Sequence, residues 1–180
     1  SYGNLGYTHH SLQDYGLMRL FPNMLIASPS DDMETKACVK YIIKNPQPSY
    51  LRLSKAKNIN LHKKIPNLKP GKWLPIVKSK GKNKKAFLTT GNVANLAKKL
   101  LLKKKFNRYS LFSLPIWGMK YKEKQKNQIN RLDTVLVLED HLEDGGFGSW
   151  IKESLNDTKI KTKIISKNIK KKVISKVGSE

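Results

Sequence analysis

Residues 6–10 of this 180-residue chain read Gly6-Tyr7-Thr8-His9-His10, so two of its four histidines stand together behind a glycine turn. A neutral imidazole in such a place can donate a hydrogen bond to a substrate oxygen or relay a proton near neutral pH. Histidine is also a common transition-metal ligand. Adjacent side chains diverge, however, and no cysteine or carboxylate stands at ligand spacing, so polar chemistry is favoured over a metal. A structural or surface role for the pair remains open beside it. Arg52 and Lys55 close a predicted strand, and open α/β sheets bind ligands beyond the carboxyl ends of their strands. Two cations there suit a phosphate or carboxylate. Period-two alternation would turn residues three apart to opposite faces, so one of them is expected to touch the ligand. The plain alternative is two surface charges. Gly145-Gly146-Phe147-Gly148 follows Glu139-Asp140-His141 and precedes a predicted helix. A phosphate-cradling loop is one reading. No Lys-Ser/Thr pair accompanies it, and Glu143-Asp144 brings negative charge, so a tight turn with close helix-on-sheet packing is expected instead. Thr89-Thr90-Gly91 is expected to be an ordinary strand-to-helix turn.

The elements that position these residues alternate. Leu12 to Leu20 reads as a helix with Leu12, Tyr15 and Arg19 in line, ended by Phe21-Pro22-Asn23 because proline disfavours helical geometry in the residue before it. Met24 to Ala27 is a short apolar strand. Asp31 and Glu34 stand at capping-box spacing and open a helix to about Lys44, with Met33, Ala37, Cys38, Tyr41 and Ile42 on its apolar side. Ser49 to Leu53 is the next strand, and strand–helix–strand predicts a parallel βαβ unit. Residues 57–72 lack a clear period, contain Pro66, Pro70 and Gly71, and read as a linker. After Trp73 to Lys78 come a strand at Ala86 to Thr90, a helix with the buried stripe Val93, Leu96, Ala97, Leu100 and Leu101, and a strand at Tyr109 to Leu114. A helix at Lys122 to Arg131 precedes Thr134 to Leu138, whose nearly continuous apolar run marks a central parallel strand. A helix through Leu155 and a strand at Ile160 to Ile165 follow. The fold class expected is α/β. Residues 1–56 form part of one domain and residues 73–180 a second, doubly wound, mainly parallel domain.

Composition limits the alternatives. Hydrophobic residues make up 38% of the chain, enough for a core. No apolar run approaches the length of a membrane span, and Ser1-Tyr2-Gly3-Asn4 does not read as a signal peptide. The single cysteine, Cys38, fits a reducing cytoplasm. A net charge of +23 invites a nucleic-acid reading. Only four of the 36 basic residues are arginine, the residue favoured for base edges and phosphate clamps. Lysine spread over polar positions, including Lys159 to Lys176, reads as a solvated face, and no specific nucleic-acid partner is expected.

With these elements placed, the sequence resembles the transketolase family of thiamine-diphosphate enzymes. The residues that carry the resemblance are Gly6-Tyr7-Thr8-His9-His10, Asp14, Leu17-Met18-Arg19, Phe21-Pro22-Asn23, Pro29-Ser30-Asp31-Asp32, Glu34-Thr35, Pro48 and Leu51-Arg52-Leu53-Ser54-Lys55. They look like the second half of the family's pyrimidine-binding domain. Thr89-Thr90-Gly91, Leu138-Glu139-Asp140-His141 and Gly145-Gly146-Phe147-Gly148-Ser149 look like its C-terminal domain. The resemblance implies thiamine diphosphate with Mg²⁺ as cofactor and transfer of a two-carbon ketol unit from a ketose, or ketose phosphate, to an aldose. It implies that His9 meets the substrate near the cofactor's reactive carbon. It also implies that Lys55, where the family usually has Arg, binds the sugar phosphate, with Arg52 as a second candidate.

The variant looks closest to the C-terminal subunit of split transketolases. The related deoxyxylulose-phosphate synthases, which also carry His-His, are the alternative; a non-catalytic α/β dimerisation module is another. Leu5 stands where larger members carry an acid, and the diphosphate-binding Gly-Asp-Gly motif is absent. By the resemblance the chain is a fragment, inactive by itself. Its partners would be a diphosphate-binding domain or N-terminal subunit and sugar-phosphate substrates, in a cytoplasmic homo-oligomer. The main cofactor-binding residues would lie upstream of Ser1.

Overall fold

The computed structural model describes residues 12–54, 60–79, 84–156 and 159–173. The expectations for His9, His10 and Lys55 therefore lie outside the described residues. A one-and-a-half-turn helix, α1 (Asp14–Arg19), buries Tyr15 and Arg19 on the line read from the sequence. Strand β1 (Leu25–Ala27), helix α2 (Asp32–Lys44) and strand β2 (Ser49–Leu51) follow, with β1 and β2 parallel. The predicted βαβ unit is present. The start of α2 explains part of it: the Asp31 carboxylate accepts the Glu34 N–H at 2.8 Å, and the Glu34 carboxylate accepts the Ser30 N–H at 2.7 Å. Backbone donors at the helix start are thus satisfied inside the protein.

The remaining strands are β3 (Leu74–Val77), β4 (Lys85–Thr89), β5 (Ser110–Ser113), β6 (Ile116–Trp117), β7 (Thr134–Leu142) and β8 (Lys163–Ile169). Helices α3 (Val93–Leu100), α4 (Glu123–Ile129) and α5 (Phe147–Glu153) connect them. Five strands form a sheet in the order β3-β5-β4-β7-β8. All its pairings are parallel except the edge pair β3–β5, which is antiparallel. This is the mainly parallel doubly wound sheet expected. β8 begins at Lys163, three residues after the predicted start, and β7 runs on to Leu142 with a register shift after Leu138. The predicted stripe of α3 holds at Val93, Ala97, Leu100 and Leu101 and needs correction at one place: Leu96 is 52% exposed and Ala94 is buried instead. A two-turn helix lying close on a sheet has room at its contact line for alanines.

The sequence did not announce β6. It leaves the second sheet and pairs antiparallel with β1, so the first sheet reads β2-β1-β6. Gly118, at φ 146°, makes this approach possible, because a Cβ there would sit 2.6 Å from the Met24 carbonyl oxygen. The strand crosses the expected boundary at 57–72, and the core does the same. Tyr15 and Ile26 share one buried cluster with Leu88, Trp117, Val135, Phe147 and Trp150. The turn after β1 also lies over the carboxyl ends of the larger sheet: the Gly91 N–H donates to the Ser28 carbonyl at 2.9 Å, and Ser30 Oγ bonds Ser113 Oγ at 3.2 Å. The crevice where a doubly wound sheet would take a ligand is filled here by the chain's own first unit.

Candidate active site

Arg52 stands just beyond β2, and α1 and the end of β7 converge on it. Its Nε is 2.7 Å from Asp14 Oδ2 and its Nη1 is 2.7 Å from Asp140 Oδ2. Its guanidinium carbon lies 4.9 Å from the centre of the Tyr15 ring. Burial alone would disfavour the charge, but Tyr15, Asp140 and Asp14 outweigh it and hold the Arg52 pKa above its ordinary value. Arg52 is a half-buried tie between the two units, and its two short ion pairs are the strong, charge-assisted kind. A substrate phosphate would have to displace a protein carboxylate to use that fork. The sequence shows a cation here but not the acids that the fold brings to it.

The carboxylates have further neighbours. Tyr50 donates its hydroxyl to Asp14 Oδ2 at 2.8 Å. His141 is fully buried, stacks on Tyr15 at 5.1 Å between ring centres and bonds the Leu142 carbonyl through Nδ1 at 2.7 Å. Its Nε2 faces Asp14 Oδ1 at 3.8 Å. Burial lowers the His141 pKa below the ordinary imidazole value, with Arg52 adding to the effect against the Leu142 carbonyl and Asp14. Tyr15 hydrogen-bonds Ser28 Oγ at 2.5 Å, and burial pushes its phenol well above the usual range.

The glycine turn before α5 is the tight turn expected, and the structure gives the reason. Glu139 Oε2 accepts the Phe147 N–H at 2.6 Å and Oε1 accepts the Gly148 N–H at 3.0 Å. The donors that could have cradled a phosphate hold a protein carboxylate. Burial raises the Glu139 pKa to about 8, against the pull of the Gly148 and Phe147 N–H groups. Gly145, at φ 74°, packs on α1 so closely that a Cβ would lie 2.9 Å from Gly16 Cα. Arg19 closes the same seam, donating to the Gly145 and Gly146 carbonyls and to Ser149 Oγ and pairing with Glu153. The Leu142 N–H donates to the Leu12 carbonyl at 3.2 Å, so the chain just after the histidine-bearing segment is fixed to the end of β7.

A second polar knot lies at the start of α2. Asp31 Oδ2 accepts the Leu61 and His62 N–H groups at 2.7 and 2.9 Å and lies 3.2 Å from His62 Nδ1. Burial would raise the Asp31 pKa, but the His62 ring and the Glu34, His62 and Leu61 N–H groups draw it down to about 2. This knot pins the described part of the predicted linker. Among the described residues no group of three or more His, Cys, Asp or Glu side chains could hold a metal ion. The two helix starts at α2 and α5 are closed by Asp31 and Glu139. The described residues therefore do not fit a diphosphate with its metal.

Residues 1–59 match the transketolase pyrimidine-binding domain family. One subunit of the apulose-4-phosphate transketolase of Actinobacillus succinogenes is 30% identical over 155 residues, covering 85% of this chain and 49% of that protein. The first third of the chain thus matches a transketolase domain family, and the chain as a whole is similar to transketolases. Another relative is the 1-deoxy-D-xylulose-5-phosphate synthase of Clostridium tetani, 27% identical over 175 residues, which are 96% of this chain and 28% of that enzyme. The chain thus spans half or less of the length of both relatives. Among solved structures, a split gene transketolase described as an inactive beta4 tetramer superposes with a TM-score of 0.73 at 22% identity. The match covers 91% of this chain and 54% of that one, and supports the fold. No helix among the described residues is long and apolar enough to cross a membrane.

The comparisons bear out the resemblance read from the sequence. What it did not reveal is the work of Asp14, Tyr15, Glu139, Asp140 and His141. Asp14 and Asp140 are 126 positions apart, and nothing local marks them as partners of one arginine.

Proposed function

We propose that this chain is the substrate-facing part of a transketolase-type, thiamine-diphosphate-dependent transferase that passes a two-carbon ketol unit from a ketose phosphate to an aldose. The observation that carries the reading is the alignment to one subunit of a two-part transketolase along 85% of this chain, joined to the pyrimidine-domain match at 1–59. Bound thiamine diphosphate would supply the electron sink for breaking the carbon–carbon bond. It and Mg²⁺ would be held by a diphosphate-binding domain or partner subunit, as the resemblance implies.

Within this chain His9 is assigned to a substrate oxygen, where a hydrogen bond strengthens as charge develops. Lys55 is assigned to the substrate phosphate, as a point charge rather than a fork. Arg52 acts one step back: it ties Asp14, four residues past His10, to Asp140, and so holds the chain flanking both assigned residues. The cytoplasm and a homo-oligomeric assembly belong to this reading.

The second reading, a deoxyxylulose-phosphate synthase, is favoured by one observation, the alignment of 96% of the chain to that enzyme in Clostridium tetani. The test uses the chain together with its diphosphate-binding subunit. Ketose-phosphate donor and aldose acceptor should give ketol transfer, and His9→Ala should lower it by about 10²-fold or more. Unchanged turnover would reject the role of His9. Carbon dioxide release from pyruvate and glyceraldehyde phosphate, without ketol transfer, would replace the first reading by the second.

A further inference from the structure

Two acceptor atoms of the seam face each other with no proton between them. His141 Nδ1 lies 2.7 Å from the Leu142 carbonyl, an oxygen that only accepts, so Nδ1 carries the ring hydrogen. A neutral imidazole then presents Nε2 as a bare lone pair. Nε2 looks at Asp14 Oδ1 from 3.8 Å. Both atoms are buried without a hydrogen-bond partner. The other oxygen, Asp14 Oδ2, takes Arg52 Nε at 2.7 Å and the Tyr50 hydroxyl at 2.8 Å. Acceptor against acceptor is unfavourable inside a protein, since each has given up water for nothing. One proton on Nε2 would turn the contact into a charge-assisted pair.

The surroundings decide when that proton arrives. From α1 and the residue before it, the ring faces Asp14, the stacked Tyr15 and the Gln13 backbone. From beyond β2 it faces Arg52, which also pairs with Asp140. From β7 its neighbour is Glu139, which with His141 Nδ1 flanks Gly146. Burial, aided by Arg52, keeps the ring neutral at neutral pH against the Leu142 carbonyl, Asp14 and Gln13. Below its ordinary value of 6.5 the ring takes up the proton. Glu139, pushed up to about 8, already holds its own in that range. Arg52 and Tyr15, raised above their ordinary values, keep theirs.

Protonation has a mechanical consequence. A charge-assisted N–H to oxygen bond is about 2.8 Å long, so forming one from the present 3.8 Å draws Asp14 and His141 together by about 1 Å. The new charge also opposes Arg52 across the carboxylate they would share. Asp14 is the first residue of α1. Two positions earlier, the Leu12 carbonyl accepts from the N–H of Leu142, the neighbour of His141. The pull therefore acts on the chain that runs on from His9. We propose that His141 is a positioning residue for His9: neutral, it leaves Asp14 to Arg52, and protonated, it draws Asp14 away and lowers turnover. The proposal rests on the reading that His9 meets the substrate. A misplacement of about 1 Å at a reacting group can cost about 100-fold in rate.

The experiment uses the full-length chain with its diphosphate-binding subunit and measures kcat for ketol transfer at about pH 8 and about pH 5.5. Wild type is compared with His141→Asn and His141→Gln, and circular dichroism checks that each is folded at both pH values. Asparagine keeps a donor for the Leu142 carbonyl and places nothing at Nε2. Glutamine sets an amide N–H where Nε2 stands, at every pH. The acid-side drop in kcat should be about tenfold larger in wild type than in His141→Asn, with KM for the donor little changed, because titration of His9 is common to both. His141→Gln should show the smaller drop, with kcat already about tenfold below that of His141→Asn at the higher pH. Equal drops in wild type and His141→Asn overturn the proposal and leave the functional reading standing. If no ketol transfer is seen, the functional reading falls and the proton site is read directly. In amide NMR spectra of the full-length chain the Asp14 and Tyr15 signals should then titrate with the His141 ring and stand still in His141→Asn. Signals that do not follow the ring overturn the link between His141 and Asp14.

Discussion

The seam between the two units and the outer side of α3 handle positive charge in opposite ways. At the seam two arginines are held among acids and carbonyl oxygens: half-buried Arg52 between Asp14 and Asp140, and buried Arg19 against Glu153 and two backbone carbonyls. On α3 and the turns that follow it, Lys98, Lys99, Lys103, Lys104 and Lys105 stand exposed. A planar guanidinium offers several donors in fixed directions and can satisfy several acceptors at once. A lysine is a strongly hydrated point charge that prefers water. The chemistry of the cation thus sorts with its role. Arginine fixes the geometry of the interior, and lysine shapes the field outside.

The contrast breaks first at Arg52. Arg52→Leu would leave Asp14 and Asp140 partly buried without their cation, and urea unfolding should show a loss of about 3–5 kcal/mol, reduced for Arg52→Lys. A loss under about 1 kcal/mol would mean that solvent already screens the pair as it does a surface bridge.

Glu139 sharpens the comparison, because it is an acid at the seam paired with N–H groups instead of a cation. Glu139→Gln replaces one acceptor by a donor facing an N–H, and should cost about 1–3 kcal/mol. The pH dependence carries a sign. With the folded pKa at about 8 against an ordinary value of 4.5, the folded state holds a proton that the unfolded state releases. Stability from this group is therefore full below the ordinary value and declines as pH rises toward 8. Melting temperatures across that window should decline more steeply for wild type than for Glu139→Gln. Equal slopes would show that the carboxyl is ionised throughout.

The smallest effect belongs to the exposed lysines. Lys104→Ala should change unfolding free energy by no more than about 0.5 kcal/mol, since its side chain stands exposed in the turns after α3. A larger loss would place that lysine in the fold's own support and erase the distinction between the two regions.

The sequence was most legible where the signal is local. The βαβ unit, the Asp31–Glu34 helix start, the central apolar strand at 134–138 and the glycine turn at 145–148 follow from periodicity, capping chemistry and the freedom of glycine. These interactions join residues a few positions apart. It was least legible where residues far apart in the chain meet. The pairing of β6 with β1 turns on two residues and a glycine. On α3 the expected stripe holds at Val93, Ala97, Leu100 and Leu101, while Leu96 turns outward and Ala94 is buried instead.

By itself the sequence determined the fold class, the family resemblance and the net charge, because each is carried by composition or by motifs whose spacing survives in one dimension. Only the tertiary structure decided what surrounds those motifs. It gave Arg52 to Asp14 and Asp140 and closed the α5 start with Glu139. Ion pairs act over a few ångströms of space, whatever the number of residues between, so the partners of a buried charge are fixed by packing.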